Sequence, residues 1–266
     1  MTMPIICEES TENRQPEVVN LEASDIALVL YARTADIGYF VSNHMHLLNE
    51  IELKRWRTIS RTSDKDLFAA SHQIARFAVA DYLGCAVDSV LIRQCCKSCG
   101  GPHGKPMVIS HKGIEISWSH TERAIVVGVS QRPIAVDVEG HADGFSRTDI
   151  NLDRILSSTE VSRFAAALPS GQLFVSLEQF NQIWTYKECL VKLGKLSIDR
   201  FNTVTVPDTN SWDLVDTQEH QLIVKEGVHP AIFRDQIASV TGCILTSGDI
   251  LVKRVITESC RGAYSQ

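Results

Sequence analysis

The segments that decide the fold and its chemistry are IAVDVEG, at Ile134–Gly140, and WTYKECLVKLGK, at Trp184–Lys195. In the first segment, valines alternate with acidic residues as in a strand, so Asp137 and Glu139 point to the same side. Taken alone, such a pair is more often two solvated acids on an edge strand. Together with the second segment, it indicates a Mg²⁺ site, because that ion takes oxygen ligands.

The second segment has the pattern of a helix. Glu188 and Lys192 are four residues apart and therefore share one face of that helix. Glu188 can be a third metal ligand, or the general base that accepts a proton from an attacking hydroxyl. The alternatives are an exposed Glu188–Lys192 pair worth about 0.3–0.5 kcal/mol, an ordinary surface lysine at Lys187 and a solvated charge at Lys195. We expect Trp184 to pack in the core.

Together, the two segments resemble the signature of the 4′-phosphopantetheinyl transferases of the surfactin type. That signature has Asp-x-Glu after a small residue, and then Trp-[Ser/Thr]-x-Lys-Glu-[Ala/Ser]-x-x-Lys. This chain departs from it at Ala135, where glycine is usual, and at Cys189, where alanine or serine is usual. The resemblance implies an α+β fold of two similar α/β halves packed as a pseudo-twofold dimer, with the active site in the cleft between them.

The resemblance also implies a reaction. This is the transfer of the 4′-phosphopantetheine arm of coenzyme A to a serine of an apo acyl or peptidyl carrier protein, with release of adenosine 3′,5′-bisphosphate. The implied metal ligands are Asp137, Glu139 and Glu188, for Mg²⁺ or alternatively Mn²⁺. The implied catalytic residues are Glu188, Lys192 and Asp137, and Lys192 would also contact phosphate. The alternative function is a non-catalytic module of the same fold that binds coenzyme A or a carrier protein.

Two further segments extend the resemblance. GGPHGKPMV, at Gly100–Val108, is similar to the family's Gly-[Lys/Arg]-Pro stretch, whose basic residue, here Lys105, meets the phosphates of the coenzyme. SWSHT, at Ser117–Thr121, is similar to the family's Ser-His-Ser element, with threonine at its last position. This implies that Ser119 and His120 also contact the phosphates. Considered alone, His120 would more often be a structural histidine.

A basic cluster lies upstream. Arg55, Arg57 and Lys65 are candidates for binding the adenosine 3′-phosphate, for which the family often has an Asp-Arg-x-Arg run. Here that run reads DKDL, at Asp64–Leu67, so lysine replaces the first arginine and leucine the second. The alternative is a solvated basic helix end, which the helix dipole favours.

Cys95, Cys96, Cys99 and His103 raise the question of zinc. One C-x-x-C is present, but no second C-x-x-C and no H-x₃₋₅-H follows at the usual spacing, so we expect no zinc here. A zinc-dependent interaction protein is nevertheless the second alternative function. The chain is long, has eight cysteines and carries no export signal, so we expect reduced thiols.

Composition limits the remaining functions. With 26 Lys+Arg against 32 Asp+Glu, the net charge is −6, which disfavours nucleic-acid binding. No apolar run is long enough to cross a bilayer, and the first residues do not have the pattern of a secretory signal. We therefore expect a cytoplasmic monomer whose partners are coenzyme A and carrier proteins.

The predicted elements run strand, helices, strands, and then strand, helices, strands again, which is typical of an α+β protein. We predict a flexible tail at residues 1–20, an N-terminal half at 21–133 and a C-terminal half at 134–266. The predicted long helices span residues 42–59, 64–83 and 176–193.

Overall fold

A computed structural model describes residues 26–96, 98–141, 152–166, 175–208, 212–216, 221–223 and 230–255. The tail predicted at residues 1–20 lies outside these ranges. The strands are β1 (Ile26–Arg33), β2 (Ile92–Gln94), β3 (Pro106–Val108), β4 (Glu115–His120), β5 (Ala124–Ser130), β6 (Ile134–Gly140), β7 (Asp213–Asp216), β8 (Gln221–Ile223), β9 (Pro230–Asp235), β10 (Val240–Thr246) and β11 (Asp249–Arg254). The α-helices are α1 (Gly38–Asn43), α2 (Glu50–Thr58), α3 (Thr62–Leu83), α4 (Leu152–Ile155), α5 (Ser158–Ala166) and α6 (Leu177–Lys192).

Two main sheets organise these elements. The first has five strands in the order β4-β5-β1-β11-β8, and the second has four in the order β6-β10-β9-β7. β2 and β3 form a separate antiparallel pair. β11 runs parallel to β1 and β7 runs parallel to β9, whereas the other pairs are antiparallel. The mixed α+β class predicted from the order of elements is confirmed.

The two sheets pack face to face around a shared apolar core. Alternate residues of β1, such as Val29 and Tyr31, point into this core, where they meet residues such as Val136 of β6 and Phe233 of β9. The Tyr31 and Phe233 rings meet edge to face, with their centroids 5.5 Å apart. The intervening residues of β1, such as Leu30, instead join the core beneath α3. This alternation follows directly from the period of two in a strand that is buried on both faces.

One long helix covers the outer face of each sheet. α3 packs on β5 and β4, and its end at Gly84 has the left-handed conformation (φ 64°) that favours glycine. α6 packs on β10 and β6. A capping box forms its N-terminus. The Ser176 hydroxyl accepts a hydrogen bond from the Gln179 backbone N–H, and the Gln179 side-chain oxygen accepts one from the Ser176 backbone N–H. Both helices were predicted within two residues of their ends.

The prediction of one continuous helix over residues 42–59 was wrong. The structure divides it into α1, a 3₁₀ turn at Met45–Leu47 and α2. The reason is local, because Asn49 has extended backbone dihedrals and forms a reciprocal capping box with Glu52 that starts a new helix. A further capping box, between Ser157 and Glu160, starts α5.

The chain crosses between the sheets more than once. The predicted boundary at residue 133 falls between β5 and β6, so strands β1, β4 and β5 of the first sheet belong to the predicted N-terminal half. The other two strands of that sheet, β11 and β8, come from the predicted C-terminal half. The division into halves stays a prediction. In the described parts of the chain, none of the helices has both the length and the apolar composition needed to cross a membrane.

Candidate active site

Asp137 is the centre of the candidate site. It lies in β6, and its side chain is buried between the second sheet and α6. One carboxylate oxygen, Oδ1, accepts hydrogen bonds from Ser119 Oγ at 2.7 Å and from Lys192 Nζ at 2.7 Å. The other oxygen, Oδ2, is buried and has no hydrogen-bond partner among the described residues. A buried acceptor without a partner costs about 1–3 kcal/mol, so Oδ2 is a candidate position for a cation or donor from outside the chain.

Lys192 joins three parts of the site. Besides Asp137, its Nζ donates to the Val136 carbonyl at 2.8 Å and, more weakly, to the Trp118 carbonyl at 3.5 Å. These contacts connect α6 to β6 and β4, so the two segments separated by about fifty residues in the sequence meet at one ammonium group. The two segments that resemble the family signature are therefore in direct contact in the folded protein.

Glu139 and Glu188 complete an acidic group around Asp137. Burial, followed by the nearby charge of Asp137, raises the pKa of Glu139 to about 7, although a hydrogen bond from Trp184 and the charge of Lys192 act in the opposite direction. Burial and Asp137 likewise raise the pKa of Glu188 above its usual value. The charge of Asp137 therefore disfavours the ionised forms of Glu139 and Glu188, and a divalent cation would relieve that repulsion.

The three carboxylates are nevertheless not closed around one point. Among the described residues, Cys96, Cys99 and His103 form the only group of three or more metal-ligand side chains whose ligand atoms all lie within 4.8 Å of one another. The acids are instead a looser set, with the ammonium of Lys192 already bound at Asp137. The Asp, Glu and Glu oxygens suit Mg²⁺ chemically, because this ion takes few carboxylates and keeps several waters.

A cleft of about 330 Å³ meets the site at Lys192, although none of the three carboxylates lines it. Lys192 lines it from α6, and Lys105 lines it from the loop that leads into β3. The predicted Gly-Lys-Pro stretch and the predicted helix motif thus share one cleft. Lys105 is exposed and donates to Glu115 Oε2 at 2.6 Å, an ion pair that is weak in solvent and therefore readily exchanged for another anion.

His120 and Arg55 lie near the same site. His120 is exposed at the end of β4, and partial desolvation of its ring, together with the charges of His72, Lys192 and Arg55, lowers its pKa. His120 is therefore largely neutral at pH 7, so it would contact a phosphate by a hydrogen bond more than by charge. Arg55 lies over the Phe68 ring and donates to the Pro102 carbonyl at 2.9 Å.

Three other predicted residues lie apart from the carboxylates. Lys65 Nζ lies over the Trp56 ring, 5.0 Å from its centroid, and Arg57 is exposed near the end of α2. Within the described ranges, no contact joins either residue to the acidic set. The alternative of an ordinary surface lysine at Lys187 does not hold, because its side chain is fully buried and pairs with Glu160 at 2.7 Å. A lysine side chain buried this completely requires an acidic partner such as Glu160, because an unpaired buried charge is strongly destabilising.

The sequence did not reveal two supports of the site. Gly242, in β10, lies so close to β6 that a Cβ there would be 2.7 Å from the Asp137 carbonyl oxygen and would overlap the Phe233 ring. A glycine within a buried apolar strand was the available signal. The second support is a buried network in which Glu52 accepts from His72 at 2.8 Å and from Arg76 at 2.8 Å. Arg76 lies on α3, 24 positions from Glu52, so no local sequence pattern marks this pair.

Comparison with known proteins agrees with the motifs. The chain is 32% identical to the 4′-phosphopantetheinyl transferase of Bacillus subtilis over 122 residues, which is 44% of this chain and 51% of that protein. The resemblance to that family is confirmed. The chain spans about half the length of this transferase. No family model matches the chain.

Proposed function

We propose that this protein transfers 4′-phosphopantetheine from coenzyme A to a serine hydroxyl of an apo carrier protein, in the manner of a holo-[acyl-carrier-protein] synthase. The observation that carries the proposal is the contact of Lys192 with Asp137 and with the backbone of β4 and β6. It unites, beside one cleft, the main segments that resemble the phosphopantetheinyl transferases. The similarity to the Bacillus subtilis enzyme supports the same reaction.

In this proposal the acidic set holds Mg²⁺. Asp137, through its unpartnered Oδ2, and Glu139 and Glu188 would be its protein ligands. When bound, the ion would neutralise the diphosphate of coenzyme A and the charge that develops as the phosphoanhydride bond breaks. Mn²⁺ is the alternative, since it accepts the same oxygen ligands.

Glu188 is the proposed base. In the metal-free protein, burial and the charge of Asp137 raise the pKa of Glu188, which favours proton acceptance by this carboxylate. It would take the proton of the carrier serine, directly or through a water, as the serine oxygen forms a bond to the pantetheine-bearing phosphorus. The bond from that phosphorus to the bridging oxygen breaks, and adenosine 3′,5′-bisphosphate leaves with the electron pair.

Lysines would stabilise the charge on the phosphates. Of the three contacts of Lys192 Nζ, that to the Trp118 carbonyl is the longest, at 3.5 Å, and is the one most easily exchanged for a phosphate oxygen. Lys105 would exchange Glu115 in the same way. Ser119 holds Asp137 in position by donating its one hydroxyl proton to Oδ1, so it would contact a phosphate only by turning that proton away from Asp137. The predicted contacts of Arg55, Arg57, Lys65 and His120 with coenzyme A belong to this proposal as well.

Mass spectrometry of a panel of apo carriers from fatty-acid, polyketide and nonribosomal peptide systems, with coenzyme A and Mg²⁺, tests the proposal. We expect at least one carrier to gain the mass of phosphopantetheine. Asp137→Asn and Glu188→Gln should each slow the transfer by at least about 100-fold, the usual scale for a general base. Glu178→Gln is the matched control, because Glu178 lies on the same helix but pairs with Arg234 at the surface.

The result also decides between transfer and binding alone. If no carrier is modified at high protein concentration while coenzyme A still binds, the protein is a non-catalytic binding module. Rates near that of the unmodified protein in Asp137→Asn or Glu188→Gln would remove that residue from the mechanism.

A further inference from the structure

The loop between β2 and β3 brings three metal-ligand side chains together, apart from the acidic set. The Sγ atoms of Cys96 and Cys99 and one ring nitrogen of His103 lie within 4.8 Å of one another. Cys99 Sγ is 3.0 Å from His103 Nε2. In a tetrahedral zinc site, with Zn–S about 2.3 Å and Zn–N about 2.0 Å, ligand atoms are about 3.5 Å apart. The three atoms are thus already close to the separations that zinc requires.

The backbone of the loop supports this arrangement. The Gly100 N–H donates to the Cys96 carbonyl at 2.8 Å, and the Cys96 N–H donates to the Gly101 carbonyl at 2.9 Å, so the loop closes on itself. The Gly101 N–H points at Cys99 Sγ at 3.4 Å, and the N–H groups of Ser98 and Cys99 point at the sulfur of Cys96. Donors aimed at the ligand sulfurs are the outer contacts that hold thiolates in a metal site.

We propose that Cys96, Cys99 and His103 bind one Zn²⁺ ion and leave its fourth position to water. Two thiolates and an imidazole are ligands of the soft and intermediate kind that select zinc over Mg²⁺. The spacing C-x₂-C-x₃-H is compact, and it is His103, not a second C-x-x-C, that supplies the third ligand. The expectation of no zinc included this histidine but required a second pair of ligands, which a site with three protein ligands does not need.

The zinc site would fix the loop that leads to the cleft. Gly104 and Lys105 follow His103 directly, and Lys105 lines the cleft beside the acidic set. On the opposite side, Pro102, within the loop, accepts a hydrogen bond from Arg55 of α2. A zinc ion would therefore fix the conformation of this loop, which contacts α2 through Pro102 and lines the cleft through Lys105. Holding the loop in this way does not depend on the proposed transfer reaction.

Metal analysis of the full-length protein tests the site. The protein would be produced in zinc-supplemented medium, freed of its affinity tag and purified without chelator. Inductively coupled plasma mass spectrometry should then find about one zinc per chain, the stoichiometry of a single site. Cys96→Ser, Cys99→Ser and His103→Asn should each lose most of this zinc. Cys85→Ser is the matched control, because Cys85 is a half-buried thiol elsewhere in the chain, and it should retain the metal.

Two further measurements test the geometry of the zinc site and its independence from the acidic set. Replacement of zinc by Co²⁺ should give the visible absorption of a tetrahedral thiolate site, and this absorption should vanish in Cys99→Ser. Asp137→Asn should retain full zinc, which separates this site from the Mg²⁺ site of the proposed function. Zinc-free protein after this purification, or a Cys96–Cys99 disulfide in place of a metal, would overturn the proposal. Loss of zinc in Cys95→Ser would overturn the assignment of three ligands.

Discussion

At the scale of single residues, Glu139 provides the sharpest test of the acidic set. An ordinary glutamate has a pKa near 4.5, whereas the pKa of Glu139 is raised to about 7. The folded protein therefore holds this proton more tightly than the unfolded chain does. The cost of ionising Glu139 is absent below about pH 4.5, grows as the pH rises and is complete above about pH 7. The upper limit of this cost is about 3 kcal/mol, and partial exposure reduces it.

Glu139→Gln should therefore stabilise the metal-free protein in alkaline solution. We expect its free energy of unfolding to exceed that of the unmodified protein by about 1–3 kcal/mol at pH 8 and by much less at pH 5. Urea denaturation at both pH values, in the presence of a chelator, measures this difference. Glu122→Gln, at an exposed turn, is the control. A stability difference that does not change with pH would show that burial and Asp137 do not raise the pKa of Glu139.

Mg²⁺ adds a second readout to the same pair of proteins. Added Mg²⁺ should stabilise the unmodified protein at pH 8, because an ion that binds only the folded state shifts the equilibrium toward it. Glu139→Gln should lose most of this stabilisation, since its amide is a weaker ligand. Equal stabilisation of both proteins would remove Glu139 from the metal site.

At the scale of secondary-structure elements, α6 carries one lysine in the buried core and another in the candidate site. Lys187 and Lys192 are five residues apart on this helix and therefore point in different directions. Lys187 is fully buried with Glu160, whose carboxylate also accepts from the Ser157 and Val206 backbone. Lys192 is one quarter exposed and binds Asp137 beside the cleft.

Methionine substitutions should show this separation. Lys187→Met leaves Glu160 charged and without its cation, and should cost about 3–5 kcal/mol of stability with little loss of transfer in the folded fraction. Lys192→Met should cost less, about 1–3 kcal/mol, because its pair is partly exposed. It should nevertheless abolish transfer. Urea denaturation and the carrier assay at low temperature measure both effects. Full activity in Lys192→Met would contradict its proposed role on the phosphates.

The elements also indicate what could be predicted from sequence. α3 and α6 were predicted because apolar periodicity and caps such as Ser176 and Gly84 act locally. The strand β6 was predicted because its valines alternate with Asp137 and Glu139, which is also a local pattern. The division of residues 42–59 was missed because it depends on one capping box at Asn49. β9 was not predicted as a separate strand, although PAIFRD carries an apolar stretch between polar residues.

The candidate site was predicted in part for a different reason. Asp137, Glu139, Glu188 and Lys192 were found because the motif holds them at fixed spacing. The pKa values of the acids were not predictable, because the raised pKa of Glu139 depends on burial that exists only once the sheets and α6 have packed. The Lys187–Glu160 pair joins positions that are 27 residues apart, and no local pattern marks it.

At the scale of the whole molecule, Asp235 ties the two sheets together. It lies at the end of β9 in the second sheet, and it accepts hydrogen bonds from Tyr31 and Arg33 of β1 in the first. The backbone N–H groups of Ile237 and Ala238 also donate to it. Burial acts to raise the pKa of Asp235, but the hydrogen bond from Arg33 and those from its other donors outweigh it and leave the pKa below its usual value of 3.8.

This lowered pKa gives the connection a defined pH dependence. Because the folded state favours the ionised form, the ion pair stabilises the protein fully above pH 3.8, and this stabilisation is lost as the pH falls through the lower, folded-state pKa. Asp235→Asn removes the charge and leaves Arg33 buried without its anion, so it should cost about 3–5 kcal/mol at pH 7. Since the asparagine does not titrate, the difference between the two proteins should shrink as the solution is acidified toward about pH 3.

Urea denaturation from about pH 7 to about pH 3 measures this difference. Asp153→Asn, an exposed change on α4, is the control and should match the unmodified protein throughout. Arg33→Gln should reproduce most of the loss seen in Asp235→Asn, and the double variant should lose much less than the sum of the two, because both changes break one pair. Additive losses would mean that the two residues act independently, and that the sheets are held together by their apolar core without this ion pair.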